Sequence, residues 1–385
     1  MLFSRSDFAI INRSFWPIYP VIGEALLQLA EELANTKNVC VIMQDHVGIK
    51  SQLALKKRGR GVKFYPCVSF SVSSSSVFKR ILDAVFFMFW VFFCLLMTRP
   101  RKVYVSTDPP VLVPFIVCIY CFIFRSSYIY HLQDIHPEAT NTIYPVNKVV
   151  LCLLKKIDTV TLGAADMLIT ITGEMADQIC NRGLNVKRPV LINNPAVAFD
   201  TVSWRSEKID GFAFCGNIGR LQRIPLIVDA IEMYIRSGGR LEFVFAGAGI
   251  YSAKLSKLSQ KYENVKYLGQ VSAIEAAQLN ADYRWALLPI EDEVTRYAFP
   301  SKSSSYVFSG ALVAAICSET TSVARWVISN RLGVVVAPTA ELICDFFWRI
   351  EKKELNESGF DMNRHELKDK LKFETFLQEL KSVIL

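Results

Sequence analysis

Two segments in the second half of the chain place a cation where a phosphate could be held. In FCGNIGRLQR, Gly216, Asn217 and Gly219 fall between an apolar strand and a helix, and Arg220 follows at once. Glycines let backbone amides approach a phosphate closely, a helix N-terminus adds positive potential, and a guanidinium can donate two parallel bonds. Taken alone, the same pattern describes a tight turn with an arginine. In FPSKSSSYVFSG, Pro300 and Ser301 open a helix with Lys302 in its first turn. A lysine there opposes the helix dipole by roughly 0.3–1 kcal/mol, which a bound diphosphate would offset. The plain alternative is a solvated lysine.

A metal-centred chemistry has no such support. There is no Asp-x-Asp at a strand end and no His cluster. The one Cys-x-x-Cys pair, Cys118 and Cys121, sits in the apolar run VPFIVCIYCFIF without a second pair. The ten cysteines are scattered through apolar stretches and read as reduced, buried thiols of an intracellular protein. The first 25 residues carry Arg5, Asp7, Arg13 and Glu24 and have no apolar segment before a cleavage site, so a signal peptide is not expected.

The elements that must position these residues repeat in two halves. At 385 residues the chain exceeds the roughly 250–300 residues of a single core, so two domains are expected. The first half starts with a strand at Phe8 to Ile11, a loop with Pro17, Pro20 and Gly23, and a helix from about Gly23 to Asn35. A strand follows at Val39 to Met43. Further strands are expected at Val103 to Thr107, Tyr128 to Leu132, Met167 to Thr172 and Val190 to Pro195, with a helix over Val149 to Ala165 before the third. The polar stretch Ala196 to Gly211 reads as a linker. The second half restarts the alternation: GFAFCGN, a helix from about Ile224 to Ser237, LEFVFAGAG, a helix over Ala253 to Tyr262, VKYLG, a helix from Ala273 to Asn280, then WALLPI. Strands alternating with helices imply a doubly wound parallel sheet in each half, that is, α/β with two Rossmann-like domains. Two such halves in tandem define the GT-B architecture, whose domains face each other across a cleft. The expected boundaries are 1–200, 209–364 and a C-terminal helix, 365–385, returning to the first domain.

Charge and hydropathy raise a further point. Lysine and arginine total 44 against 36 acidic residues, for a net charge of +8, and apolar residues make up 51%. This combination suits anionic partners: a phosphorylated substrate or a membrane surface. Nucleic acid fits poorly, because no basic run is interleaved with stacking aromatics. Two apolar runs stand out, Ala84 to Met97 and Val111 to Phe124. Each has about fourteen residues, short of the ~18–20 of a spanning helix. Asp83 blunts the first and Pro114 the second. Three readings are open: buried helices flanking the sheet, a helix (about 81–98) lying in the bilayer interface, or a span. The in-plane helix is favoured, since clustered Phe and Trp with Lys79, Arg80, Arg99, Arg101 and Lys102 at the flanks suit an interface.

In order and spacing, the motifs resemble the retaining family-4 glycosyltransferases, particularly the bacterial surface-polysaccharide and O-antigen branch with its N-acetyl-fucosamine-type transferases. The segments carrying the likeness are FWPIYPVIGEALLQLAEEL, VYVSTDPPVLV with YIYHLQDIHPEA, FCGNIGR, VFAGAG with VKYLGQVSAIEAAQLNADYRWALLPI, and PSKSSSYVFSGALVAAICSET. The resemblance implies that Arg220 and Lys302 hold the donor diphosphate, with Ser301 at the helix start. It also implies that Gly23 lies opposite the diphosphate, here preceded by Ile22 where the family has a second glycine. By the same likeness, the backbone from Leu268 to Val271 grips the base. Gln133 and Asp134 lie near the acceptor and transferred sugar, with Glu138 in the same loop. For Asp134 and Glu138 the alternative is a strand-end cap or an ion pair.

The chain also departs from that pattern. Where the family has two glutamates eight apart, this sequence has Tyr297 and Ser305. Glu293, in the EDE run just upstream, is the candidate substitute for a sugar contact. The lysine that usually follows the glycine turn is Gln222, with Arg223 as a possible stand-in. The expected activity is metal-independent, retaining transfer from a nucleotide-diphosphate sugar, UDP-linked by the likeness. The expected acceptor is a polyprenyl-diphosphate-linked saccharide, used by a cytoplasmic enzyme peripheral on the inner membrane, with no cofactor. The competing readings are a GT-B-fold nucleotide-sugar epimerase, for which His131 with Asp134 would be the acid-base cluster, and a degenerate non-catalytic scaffold.

Overall fold

The computed structural model describes residues 5–19, 21–71, 75–360 and 364–384. Pro20 of the first loop and Leu385 of the C-terminal helix lie outside them. The chain divides into two units, Met1–Asn193 with Leu377–Leu385, and Asn194–Phe376.

In the first unit seven strands form one sheet: β1 (Phe8–Ile11), β2 (Val39–Asp45), β3 (Lys63–Val68), β4 (Lys102–Ser106), β5 (Ser127–His131), β6 (Met167–Thr170) and β7 (Val190–Leu191). They lie in the order β3-β2-β1-β4-β5-β6-β7 and pair parallel throughout. β3 had no counterpart in the sequence reading, since KFYPCV alternates weakly and carries a proline at the sheet edge. The order reverses between β1 and β4, and the crevice at the carboxyl ends there is where open α/β sheets bind ligands.

The second unit repeats the plan with β8 (Ile209–Cys215), β9 (Glu242–Ala246), β10 (Val265–Tyr267), β11 (Tyr283–Pro289), β12 (Leu312–Ile316) and β13 (Gly333–Val336). Their order is β10-β9-β8-β11-β12-β13, also parallel, with the reversal between β8 and β11. An aromatic core of Phe212, Phe243, Trp285, Phe346 and Phe347 fills one face of this sheet. The stretch read as a linker is packed here: Ala196, Phe199 and Val202 are buried against Ala277 and Ala281. Its apolar residues, the run AVAF and then Val202, Trp204 and Ile209, follow neither a helical nor a strand period, which is why it looked unpatterned. The C-terminal stretch forms two helices, Arg364–Lys370 and Phe373–Ile384. Leu371 between them belongs to the second unit's core, whereas Leu377–Leu385 groups with the first unit, where Lys381 pairs with Glu32.

The first apolar run is one helix of 22 residues, Val77–Thr98, started by Ser76, whose hydroxyl accepts from the amide of Lys79 at 3.4 Å. It begins about a turn earlier than expected. Residues 78–98 are long and apolar enough to cross a membrane by length and composition, and most of this stretch is not buried. Asp83 does not blunt the outer face: it is buried on the sheet side, accepting from Ser71 Oγ at 2.6 Å and the Phe70 amide at 3.4 Å. Phe87, Val91, Leu95 and Thr98 share that inner side, and Phe78, Leu82, Phe86, Phe89, Phe93 and Leu96 form an exposed stripe opposite. The second run is the helix Leu112–Phe124, which buries Val113, Pro114, Val117, Cys118, Tyr120 and Cys121 and leaves its last turn more open.

Candidate active site

In the second unit, the ends of β8 and β9 build a glycine corner. Gly216 has φ 150° and Gly247 φ 135°, and a Cβ on Gly247 would lie 1.8 Å from the Gly216 carbonyl oxygen. A Cβ on Gly249 would meet the Ile218 carbonyl oxygen at 2.2 Å. Backbone lies directly on backbone, bonded from Gly216 N to Ala246 O (2.9 Å) and Ile218 N to Ala248 O (3.0 Å). Only glycine permits this approach. The corner extends to the expected base-binding backbone. Gly247 N donates to Gly269 O at 2.7 Å, the Tyr267 hydroxyl donates to Gly247 O at 3.0 Å, and Leu268 N donates to Phe245 O at 2.9 Å. Leu268 is half-exposed and Val271 partly so.

Lys302 reaches this corner from the helix Lys302–Ser309. Its ammonium lies 3.8 Å from the centre of the Phe214 ring and 3.3 Å from where a Cβ on Gly216 would stand. The atom is buried and has no hydrogen-bond acceptor among the described residues. Burial pulls its pKa down to about 7, opposed by the nearby Cys215 thiol. A buried cation without a partner is costly unless an anion completes it. Ser301 beside it is exposed and makes no capping bond.

Gly219 and Arg220 continue the turn, with Arg220 exposed on a short 3-10 turn, Arg220–Gln222. Gln222 is used internally, accepting from the Gly219 amide at 3.2 Å. Arg223 is committed too: Nε donates to Ile290 O at 2.8 Å, and Nη2 pairs with Asp292 (3.0 Å) and Glu291 (3.1 Å). It is therefore not a spare cation standing in for the missing lysine. Glu293 is the exposed member of the EDE run.

In the first unit, the carboxyl ends of β1, β4 and β5 gather polar groups the sequence reading did not single out. Asp108 accepts from the Ser14 amide at 3.0 Å and from its hydroxyl, and pairs with Arg13 at 2.8 Å. Ser106 donates to Asn12. The STDPP motif after a strand was the available signal. Gln133 bridges this set, its amide donating to Thr107 Oγ1 at 3.3 Å and its side chain meeting His131 Nε2 at 2.8 Å. Tyr104 holds the other ring nitrogen at 2.6 Å. His131 is buried, and burial lowers its pKa to about 3, so the ring stays neutral.

Asp134 sits beside this set, partly exposed at its rim. Burial of the carboxyl, then the charge of Asp108, raises its pKa to about 6. Glu138 is instead drawn inward, nearly buried and ion-paired with Arg182 and with Lys155 at 3.1 Å. Arg182 also donates to the His136 carbonyl at 3.1 Å, so this pair ties down the loop that carries Asp134. Gly23 allows the first loop to fold over its helix: a Cβ there would stand 2.6 Å from the Trp16 amide nitrogen. Among the described residues no three His, Cys, Asp or Glu side chains are grouped to hold a metal ion.

No protein-family model matches the chain. A probable glycosyltransferase, WbjE of Pseudomonas aeruginosa, is 23% identical over 287 residues, covering 69% of this chain and 70% of its own. Among solved structures, the sucrose-phosphate synthase of Thermosynechococcus elongatus superposes with TM-score 0.70 at 11% identity over 98% of both chains. Anabaena Alr3699/HepE, solved with UDP, gives 0.66 at 12% identity, again over 98% of both. The lipopolysaccharide outer core galactosyltransferase WaaB gives 0.62 at 16% identity with the same coverage. By fold, then, the chain is a GT-B protein: two parallel-sheet α/β units of the kind these glycosyltransferases share.

Proposed function

We propose that the protein is a glycosyltransferase of bacterial surface-polysaccharide assembly, taking a sugar from a nucleotide-diphosphate donor, UDP-linked, and passing it to a lipid-linked saccharide. The observation that carries this reading is the buried ammonium of Lys302 against the Gly216 turn, with no hydrogen-bond acceptor among the described residues. Such a group is the counter-charge for a diphosphate, and Arg220 lies on the same turn. In the transfer step the bond between the sugar C1 and the diphosphate oxygen breaks, and the electron pair leaves with the nucleotide diphosphate. Lys302, Arg220 and backbone amides stabilise that charge without a metal. The acceptor hydroxyl bonds to C1 and its proton passes to the departing diphosphate oxygen, with Asp134 orienting the hydroxyl. Retention at C1 is the stereochemistry of the family the motifs resemble. The exposed Phe78–Leu96 stripe suits a cytoplasmic enzyme resting on the inner membrane, where such an acceptor is embedded.

Two features speak against the competing readings. An epimerase would draw on His131, yet that ring is neutral, buried and held at both nitrogens. A scaffold would gain nothing from burying Lys302 without a partner. The deciding experiment is a calorimetric panel of nucleotide sugars against the wild type and Lys302→Met, followed by transfer assays with and without EDTA. A donor that binds the wild type, loses binding in the variant and releases nucleotide diphosphate only with acceptor supports the reading. Equal binding to both proteins would overturn the site, and loss of turnover with EDTA would overturn metal independence.

A further inference from the structure

The exposed stripe of the helix Val77–Thr98 runs from Phe78 to Leu96, about 27 Å at ~1.5 Å per residue. Its residues recur every three or four positions, and Phe89 is 62% exposed. At its far end a pocket opens, lined by Arg5, Phe93, Leu96, Met97 and Arg99. The neighbouring helix Leu112–Phe124 extends the apolar surface with Phe122, 87% exposed, and Ile123. Two guanidinium groups therefore meet an apolar floor.

The cations are fixed by the fold. Arg99 ends the helix at φ 43°, and its carbonyl accepts from Arg5 Nε at 3.3 Å. Its guanidinium lies 6.0 Å from the centre of the Phe124 ring. Neither arginine has a carboxylate partner among the described residues. Arg125, at the end of the helix Leu112–Phe124, is exposed and likewise lacks one. Positive charge left unpaired at the end of an apolar stripe is complementary to lipid phosphates lying just outside a hydrocarbon layer.

Position separates this pocket from the candidate active site. The Ser6 amide bonds to Thr98 O at 2.8 Å, and Phe8 registers with Lys102, so Arg5 and Arg99 sit at the amino edge of β1 and β4. Asn12, Ser106 and Asp108 are at the carboxyl edge, roughly 15–20 Å along the strands. A lipid phosphate bound between the arginines is thus remote from the residues that would handle the transferred sugar.

We propose that Arg5 and Arg99 form a seat for the phosphate headgroup of a bulk anionic phospholipid, which pins the amino-edge end of the apolar stripe to the bilayer. This rests on the membrane-surface reading above and adds to it a defined headgroup site separate from the acceptor.

Full-length protein would be co-sedimented with phosphatidylcholine vesicles and with vesicles containing phosphatidylglycerol, no polyprenyl lipid being present. The expected result is preference for the anionic vesicles, reduced on the order of ten-fold in the Arg5→Gln/Arg99→Gln protein. A Lys257→Gln/Lys353→Gln control carries the same charge change elsewhere and should bind as the wild type. Phe86→Ser/Phe89→Ser should weaken binding to both vesicle types. If the arginine variant binds anionic vesicles like the wild type, or the control loses as much, the headgroup seat is wrong while the membrane reading stands. If the wild type binds neither vesicle, the membrane reading itself fails. Unchanged circular dichroism and donor affinity exclude misfolding as the cause of a loss.

Discussion

Lys302 and Gly216 approach so closely that the lysine ammonium lies 3.3 Å from the point a Cβ on the glycine would occupy. Phe214 lies beneath it, and the ammonium has no hydrogen-bond acceptor among the described residues.

The first expectation concerns pH. With its pKa lowered to about 7 in the folded protein, Lys302 is mostly neutral at pH 8 and must take up a proton to hold a diphosphate. UDP affinity should therefore fall as pH rises above 7, by up to about ten-fold per unit. Calorimetry in buffers of different ionisation enthalpy should show proton uptake approaching one at pH 8. Uptake of zero would mean the lysine is already charged in the empty site.

The same group makes a stability prediction of definite sign. The folded pKa lies below the ordinary lysine value, so the unfolded chain binds the extra proton between about pH 7 and 10.5. The penalty is full below that window and disappears above it. Lys302→Met should raise the stability of the ligand-free protein at pH 6.5 by about 1–3 kcal/mol while abolishing donor binding. Thermal melts across pH 6–10 check it, the variant's advantage shrinking toward the alkaline end.

Gly247→Ala tests the glycine corner. A methyl group 1.8 Å from the Gly216 carbonyl cannot be accommodated without moving one of the two turns, and φ 135° disfavours alanine as well. A loss of about 3 kcal/mol or more is expected, with donor binding lost even where the fold survives. Gly173→Ala, where a Cβ meets nothing within 4 Å, serves as the tolerant comparison.

Asp134 should set the acid limb of turnover. Its carboxyl must be ionised to orient an acceptor hydroxyl, so the rate should fall below about pH 6. Asp134→Asn should cost about 10²–10³-fold in kcat with donor affinity kept. Asp108→Asn removes the neighbouring negative charge and should shift the limb toward lower pH. A limb unmoved by that change would remove Asp108 as a cause.

Glu138 is expected to answer to stability rather than to substrate. Its carboxylate is paired with Arg182 and Lys155 inside the first unit, beside the buried Asp158. Glu138→Gln should lower stability by about 3 kcal/mol with the acceptor KM unchanged in the protein that remains folded. A raised KM at unchanged melting temperature would return Glu138 to the acceptor site.

Much of this was legible in the residues alone, because strand and helix periodicity is a local property. β1, β2, β4 to β6 and the second sheet's strands coincide with short apolar runs, although the run GVVV of β13 was not singled out, and Gly216, Gly247 and Gly249 sit where such runs end. What chain order cannot specify is the partner brought in from elsewhere. Ser14 and Asp108 are 94 residues apart, and Glu138 and Arg182 are 44 apart. Whether Glu138 is a surface acid or a buried ion pair depends on the helix packed beside it. Asp83 shows the same limit: within its run it interrupts the apolar pattern, but the fold turns it onto the sheet side and leaves the outer stripe without charge. Composition and periodicity settled which elements form, since each residue's preference acts within a few neighbours. Burial and pairing, and hence which charges are free to meet a substrate, were decided only when distant strands and helices packed together.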